Sequence, residues 1–166
     1  MGYSQNTTDE AQIREAANLL SQQKFYYAMD QFFEMVPSGD LVVAPYYAGD
    51  CMSVMEENPD LKFFIPKCGT NTFNDAMCVP ATSEKKDLAE KFINFLLTAE
   101  AGKANTEYVY YSTPNDAVYE VLEEEMKASK IAYPEKQENW EAFRNLPTAV
   151  NDLMRELWNN IKTNNK

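Results

Sequence analysis

The sequence predicts an α/β protein, and three observations predict it. Short, continuously apolar runs lie in the middle of the chain; amphipathic helical patterns flank them; Gly, Pro, Asn and Asp punctuate the intervals. Leu41-Val42-Val43-Ala44 has no polar position, which suits an interior strand of a largely parallel sheet, covered on both faces. Leu61-Lys62-Phe63-Phe64-Ile65, closed by Pro66, reads as the next strand. A helical stretch from Gly49-Asp50 to about Glu57, ended by Asn58-Pro59, lies between them. Strand, helix, strand is a βαβ unit.

The other elements follow in chain order. Thr7-Thr8-Asp9-Glu10 opens a helix, with Thr7 as cap and Glu10 completing a capping box. Ile13, Ala16, Ala17 and Leu20 form its buried stripe. A shorter helix covers about Ala28 to Met35 and stops at the turn residues Pro37-Ser38-Gly39-Asp40. Lys67 to Asn74 is a Gly- and Thr-rich loop, and Ala76-Met77-Cys78-Val79 is a third short strand, ended by Pro80. Ser83 caps an amphipathic helix with Leu88, Phe92, Phe95 and Leu96 inside, and Thr98 begins another. Ser112-Thr113-Pro114-Asn115 breaks the chain. Helices follow at about Asp116 to Ser129 and Thr148 to Lys162, with the loop around Tyr133-Pro134 between them. The tail Thr163 to Lys166 is expected to fray.

Composition narrows the functional classes. The 166 residues are 45% hydrophobic and 25% charged, with a net charge of −11. An acidic balance opposes binding to nucleic acid or an anionic membrane surface and favours cationic partners through long-range attraction. No apolar run approaches membrane-spanning length, and the residues after Met1 are too polar for a signal peptide. Gly2-Tyr3-Ser4-Gln5-Asn6 reads as a loop entering a helix cap, so the chain is expected to start within a longer protein. The sequence has no histidine. Ser-His-Asp and Cys-His nucleophilic chemistry is thereby excluded, as are the commonest zinc ligand sets. Cys51, Cys68 and Cys78 are odd in number and lack CxxC spacing, which suits buried apolar thiols better than a disulfide framework.

Three segments carry the functional signal. Tyr46-Tyr47-Ala48-Gly49-Asp50 and Phe73-Asn74-Asp75 each set an aromatic ring near a carboxylate, and Tyr110-Tyr111-Ser112-Thr113-Pro114-Asn115 adds rings. Rings with carboxylates suit a cation with an apolar body: the ammonium pairs with Asp, and the methylenes lie on the ring faces. Ligands of open α/β sheets bind beyond the carboxyl ends of strands, where Tyr46 to Asp50 falls. This is a pattern for capture. Neither a cofactor nor a metal is implied.

These segments resemble the carboxyl-terminal half of the polyamine-binding proteins of bacterial ABC importers, the spermidine/putrescine family with the type II periplasmic-binding fold. The resemblance runs along nearly the whole chain. Gly2-Tyr3-Ser4 with Asn6-Thr7-Thr8-Asp9 is similar to the family's entry to a second-lobe helix. Tyr47-Ala48-Gly49-Asp50 matches its aromatic-x-Gly-Asp loop, with Tyr where Trp is usual. Ile65-Pro66-Lys67 with Gly69 resembles its Ile-Pro-Lys-Glu-Gly turn, with Cys68 in place of Glu. Phe73-Asn74-Asp75 matches the aromatic-x-Asp pair that grips an ammonium. Phe92-Ile93-Asn94-Phe95-Leu96-Leu97, Tyr111-Ser112-Thr113-Pro114-Asn115, Tyr133-Pro134 and Trp158-Asn159-Asn160-Ile161-Lys162 follow in family order. The joint order is more specific than any single motif.

The resemblance implies a partial α/β type II fold, mainly the second lobe plus the return segment of the first. Residues 1–73 would be the βαβ portion of the second lobe, 74–115 the return to the first lobe, and 116–166 terminal helices packing on the second. It implies a polyamine ligand (putrescine or spermidine), a membrane permease as partner of the intact extracytoplasmic parent, and a missing N-terminal lobe. A fragment of that kind would expose apolar surface and either dimerise or repack.

The implied ligand-binding residues are Tyr47, Asp50, Phe73, Asp75, Tyr111 and Arg144. Each has a plainer alternative. Asp75 could cap its loop, Asp50 could cap the following helix, Tyr47 could pack on the core, and Tyr111 could be an ordinary loop tyrosine. Arg144 falls near a family Gln. In a cleft it would repel a polycation unless paired with a carboxylate, and it would then favour a ligand that carries one, such as an amino-acid-like zwitterion. On a helix surface it would simply be solvated. Glu123-Glu124-Glu125 reads as a solvated helix face. A glycosidase using paired carboxylates and a purely helical interaction module are rival readings. No spacing supports the first, and the run Leu41 to Ala44 opposes the second.

Overall fold

The computed structural model describes residues 1–164. The chain divides into two compact units. Unit 1 comprises residues 1–28, 65–74 and 137–166, and unit 2 comprises residues 29–64 and 75–136.

In unit 1, helix α1 (Glu10–Ser21) packs against helix α8 (Thr148–Asn164), with Ile13 and Ile161 buried. Asp9, not Thr7, caps α1: its Oδ1 accepts from the N–H groups of Ala11 (2.8 Å) and Gln12 (3.3 Å). Thr7 Oγ1 instead accepts from the Asp9 N–H (3.2 Å) and donates to Gln12 Oε1 (2.8 Å), so it locks the turn before the cap. Strand β1 (Asn71–Thr72) lies within the expected Gly/Thr loop and pairs in parallel with β2 (Glu141–Ala142). Two residues per strand are too few to show an alternation in sequence, and β2 was not legible. Of the tail expected to fray, Thr163 and Asn164 belong to α8, and residues 165 and 166 lie outside the described residues.

In unit 2, helix α3 (Ala48–Glu57) forms as the pattern predicts. The runs expected to be its flanking strands form no strand and have no ladder partner among the described residues. Val42 is 95% exposed and Val43 77%, so Leu41 to Ala44 is not interior. Leu61–Ile65 and Ala76–Val79 likewise form no strand. A ladder needs a neighbour at about 4.8 Å, and an apolar run cannot supply its own. Helix α2 is only the single turn Phe32–Met35. Helix α4 (Lys86–Leu96) starts later than expected, because Ser83 Oγ accepts from Lys85 N–H (3.3 Å) before the helix begins. Leu88, Phe92 and Phe95 occupy one face of α4, as their spacing requires, yet are 63%, 59% and 59% exposed, not inside.

Helix α5 (Ala99–Val109) is capped by Thr98 as predicted and packs on α3, α4 and α6 (Asp116–Tyr119). The expected helix from 116 to 129 breaks after α6 and resumes as α7 (Glu124–Ala128). The unit's core gathers there: Val118, Leu122, Met126 and Ala132 are buried, with Met52, Tyr119 and Tyr133 against them. The Glu run is dispersed at the surface, with Glu123 paired to Lys103 and Glu124 to Lys127.

Gly102 explains how closely α5 and α6 approach. A Cβ there would run into the side chain of Val118, which is 1% exposed and has nowhere to move. Ala would gain about 1 kcal/mol of helix propensity, but overpacking a filled core costs about 1–3 kcal/mol. Gly102→Ala should therefore lower unfolding stability in urea by up to about 2 kcal/mol. A more stable variant would show that α6 can shift.

Candidate functional site

The site is built on the amino-terminal turn of α3 and the segment that follows α5. Tyr47 stands at the N-cap position of α3 in extended conformation, with no side-chain cap bond. Asp50 is therefore inside the first helical turn and is not the cap. Its carboxylate is free to point elsewhere and still complements the positive end of the helix. It receives a hydrogen bond from the Tyr111 hydroxyl.

Tyr111 reaches Asp50 because of two backbone features. Tyr110 ends α5 in the left-handed region (φ 60°, ψ 8°) and turns the chain off the helix. A non-glycine residue held there costs roughly 1–3 kcal/mol unless the surroundings impose it. On the other side, Gly49 leaves room for a ring: a Cβ at 49 would overlap the ring of Tyr111. The loop beyond is tied down independently. Asn115 Oδ1 accepts from Ala117 N–H (3.1 Å), and its Nδ2 donates to the Leu97 carbonyl (2.9 Å). Thr113 N–H donates to the Tyr133 hydroxyl (3.2 Å). Asn115 and Tyr133 are positioning residues that the site-residue reading missed. The Pro-Asn helix-start pattern was the available signal for Asn115.

The electrostatics of this corner are acidic. The Tyr111 hydroxyl is pushed well above the ordinary tyrosine range, first by burial, then by its bond to Asp50 and that carboxylate's charge. The Asp50 backbone, bonded to the same oxygen, acts weakly the other way, and the charge of Asp75 adds to the rise. Asp50 and Asp75 thus both bear on Tyr111. Among the described residues neither carboxylate forms an ion pair with Lys or Arg. Tyr46 stacks on Phe32 (3.7 Å between centroids, 6° between planes) and meets Tyr47 edge-on at 5.5 Å. That wall leaves Tyr47 50% exposed beside Asp50.

The residues that the sequence singles out fall in both units. Tyr47, Asp50, Asp75 and Tyr111 all belong to unit 2, and Phe73 and Arg144 belong to unit 1. Phe73 is 44% exposed. Arg144 is exposed; its N–H donates to Asn6 Oδ1 (2.8 Å), and its charge helps hold Glu141 below the usual carboxylate range, after the bonds from Ser4 and Asn6. The cysteines are free. Cys68 and Cys78 are exposed, against the expectation of buried thiols. Cys51 is half-buried, and burial, then the charge of Asp50, push its thiol up to about 11. No group of three or more Cys, Asp or Glu side chains among the described residues could hold a metal ion.

Comparison with known proteins gives the class. The family model described as "Bacterial extracellular solute-binding protein" matches residues 1–139. The chain belongs to that family. The spermidine/putrescine-binding periplasmic protein of Escherichia coli is 28% identical over 167 residues, covering 98% of this chain and 48% of that protein. The putrescine-binding periplasmic protein SpuD of Pseudomonas aeruginosa is 25% identical over 98% of this chain and 47% of its own length. A solved structure described as "Putative spermidine/putrescine ABC transporter from Listeria monocytogenes" superposes with a TM-score of 0.88 at 33% identity, over 97% of this chain and 51% of that one. The Streptococcus pneumoniae substrate-binding protein PotD gives 0.83 at 28% identity, over 99% and 53%. The fold is thus part of a type II periplasmic-binding fold, and the chain spans about half the length of these relatives.

Two outcomes are expected. Tyr111→Phe keeps the ring on Gly49 but drops the bond to Asp50, and should cost about 1 kcal/mol at neutral pH, since Asp50 is partly solvated. The fold favours the protonated hydroxyl, so this contribution is intact below the ordinary tyrosine value of 10.0 and is lost as the pH rises from there toward the elevated folded-state value. The two proteins should converge in stability at strongly alkaline pH. With iodoacetamide at pH 8, peptide mass spectrometry should find Cys68 and Cys78 modified well before Cys51. Equal or faster labelling of Cys51 would contradict its burial.

Proposed function

We propose that the chain is the carboxyl-terminal part of a solute-binding protein that captures a polyamine of the putrescine or spermidine class for an ABC importer in the membrane, without catalysis. The observation that carries this reading is the pair Asp50 and Asp75, which both bear on Tyr111 and form no ion pair with Lys or Arg among the described residues. An ammonium supplies the missing charge. Tyr47 and Tyr111 offer ring faces for the methylenes, and Phe73 is assigned with Asp75 on the sequence pattern alone. The relatives named for spermidine and putrescine support the ligand class. Arg144 is left out of the site: it is exposed and belongs to unit 1, whereas Asp50 and Asp75 belong to unit 2.

Isothermal titration of putrescine and spermidine into the intact protein tests this. Binding is expected, weakening with salt as exposed charges are screened. Asp75→Asn should reduce affinity by about 2–5 kcal/mol. Heat with a neutral or zwitterionic amino acid and none with any polyamine would overturn the reading.

A further inference from the structure

We propose that Phe32 is a positioning residue for ligand binding: with Tyr46 it forms a stacked bracket that fixes the Tyr47 ring at the head of α3, and so sets how strongly the site grips the alkyl part of an ammonium. The inference deepens the Proposed function and rests on it for the ligand class. Phe32, Tyr46, Tyr47 and Asp50 all belong to unit 2.

One short turn builds the bracket. The Met29 carbonyl accepts from the Phe32 N–H (3.0 Å) at the start of α2, and also from the Tyr46 hydroxyl (3.3 Å). Gln31 Oε1 accepts from the Met29 N–H (3.0 Å) and ties the same turn. Phe32 is 3% exposed and lays its ring on Tyr46, with 3.7 Å between centroids and 6° between planes. Phe33 meets Tyr46 nearly at right angles at 6.2 Å, and meets Phe32 the same way at 5.6 Å. Tyr46 is thus held on one face, at an edge and at its hydroxyl. Free aromatic pairs avoid full face-to-face overlap and settle offset or edge-on at about 4.5–7 Å. The Phe32–Tyr46 pair is closer than that, so the turn imposes the arrangement.

Tyr47 is the next residue. It is half-exposed at the N-cap position, and its side chain makes no cap bond. A ring that the ligand must order weakens binding by the entropy of ordering it, whereas a ring already fixed does not. Tyr46 meets Tyr47 at 5.5 Å and 64°. Phe32 is almost fully buried, so it bears on a ligand only through these two rings. A residue that merely fills the core would weaken every ligand by the same factor. One that sets a ring face changes the gain in affinity per methylene.

The test uses the full chain labelled with 3-fluorotyrosine, with the Tyr47 resonance assigned by its loss in Tyr47→Phe. Ethyl-, butyl- and hexylammonium are the probes, titrated by NMR. In the unsubstituted chain, affinity should rise about twofold per added methylene, which is half the transfer free energy of a fully buried one. Phe32→Leu keeps an apolar side chain in the buried position. It should move the Tyr47 fluorine resonance toward that of free fluorotyrosine and remove most of the gain per methylene, with ethylammonium losing least. Tyr46→Leu, at a half-buried position, should remove the gain as well, and Tyr46→Phe, which keeps the stack, should restore it. Should circular dichroism show that Phe32→Leu loses its helices, the Tyr46 pair carries the test. An unmoved Tyr47 resonance in folded Phe32→Leu would overturn the proposal. So would an unchanged gain per methylene, or an equal loss of affinity for all the probes, in either leucine variant; each leaves the polyamine reading standing. If none of the probes binds the unsubstituted chain, the polyamine reading fails and takes this inference with it.

Discussion

The close approach of Tyr111 to Gly49 is the constraint on which the acidic corner depends. It joins two stretches more than sixty residues apart, and it works only because position 49 has no side chain and position 110 accepts a left-handed backbone. With the ring in place, its hydroxyl fixes the Asp50 carboxylate, and the charge of Asp75 falls on the same hydroxyl. Remove the small residue or the turn and the two carboxylates lose their common reference point. A binding surface of this kind needs little more: fixed negative charge, flat apolar rings and an approach open to solvent.

The same geometry sets the protonation of the groups around it. A general acid and base need groups that exchange protons near neutral pH. In this corner the two groups with strongly displaced titration, Tyr111 and Cys51, are both pushed upward, away from neutrality, by burial and by the charge of Asp50. The protein favours the protonated form of both groups. What remains reactive toward a ligand is the charge of the carboxylates, which favours ionic pairing.

The stability of the chain is unevenly distributed. Unit 2 has a true core in Val118, Leu122, Met126 and Ala132, clamped by Gly102 and by the Asn115 and Tyr133 bonds. Unit 1 relies on one helix pair and a two-rung sheet. Large side chains at Val42, Val43, Phe64 and Leu88 meet solvent. The acidic net charge of −11 offsets the tendency of such side chains to aggregate.

Much of this was legible in the residues. Helices α1, α3, α5 and α8 follow directly from spacing and end signals, because a helix satisfies its own backbone hydrogen bonds and its stripe is written at 3.6-residue intervals. The ring-and-carboxylate pairs were visible for the same reason: charge and aromaticity are properties of single residues. The strands at 41–44, 61–65 and 76–79 were not decided locally, since an extended run becomes a strand only when another segment bonds to it. Burial of Leu88, Phe92 and Phe95 was equally undecidable, because their spacing names a face of α4 without saying what lies opposite. The sequence alone determined which segments coil and where aromatic rings stand near carboxylates along the chain. Tertiary structure decided which carboxylates come together, which apolar faces stay open and where the sheet stops, because each depends on contacts between residues far apart in the chain.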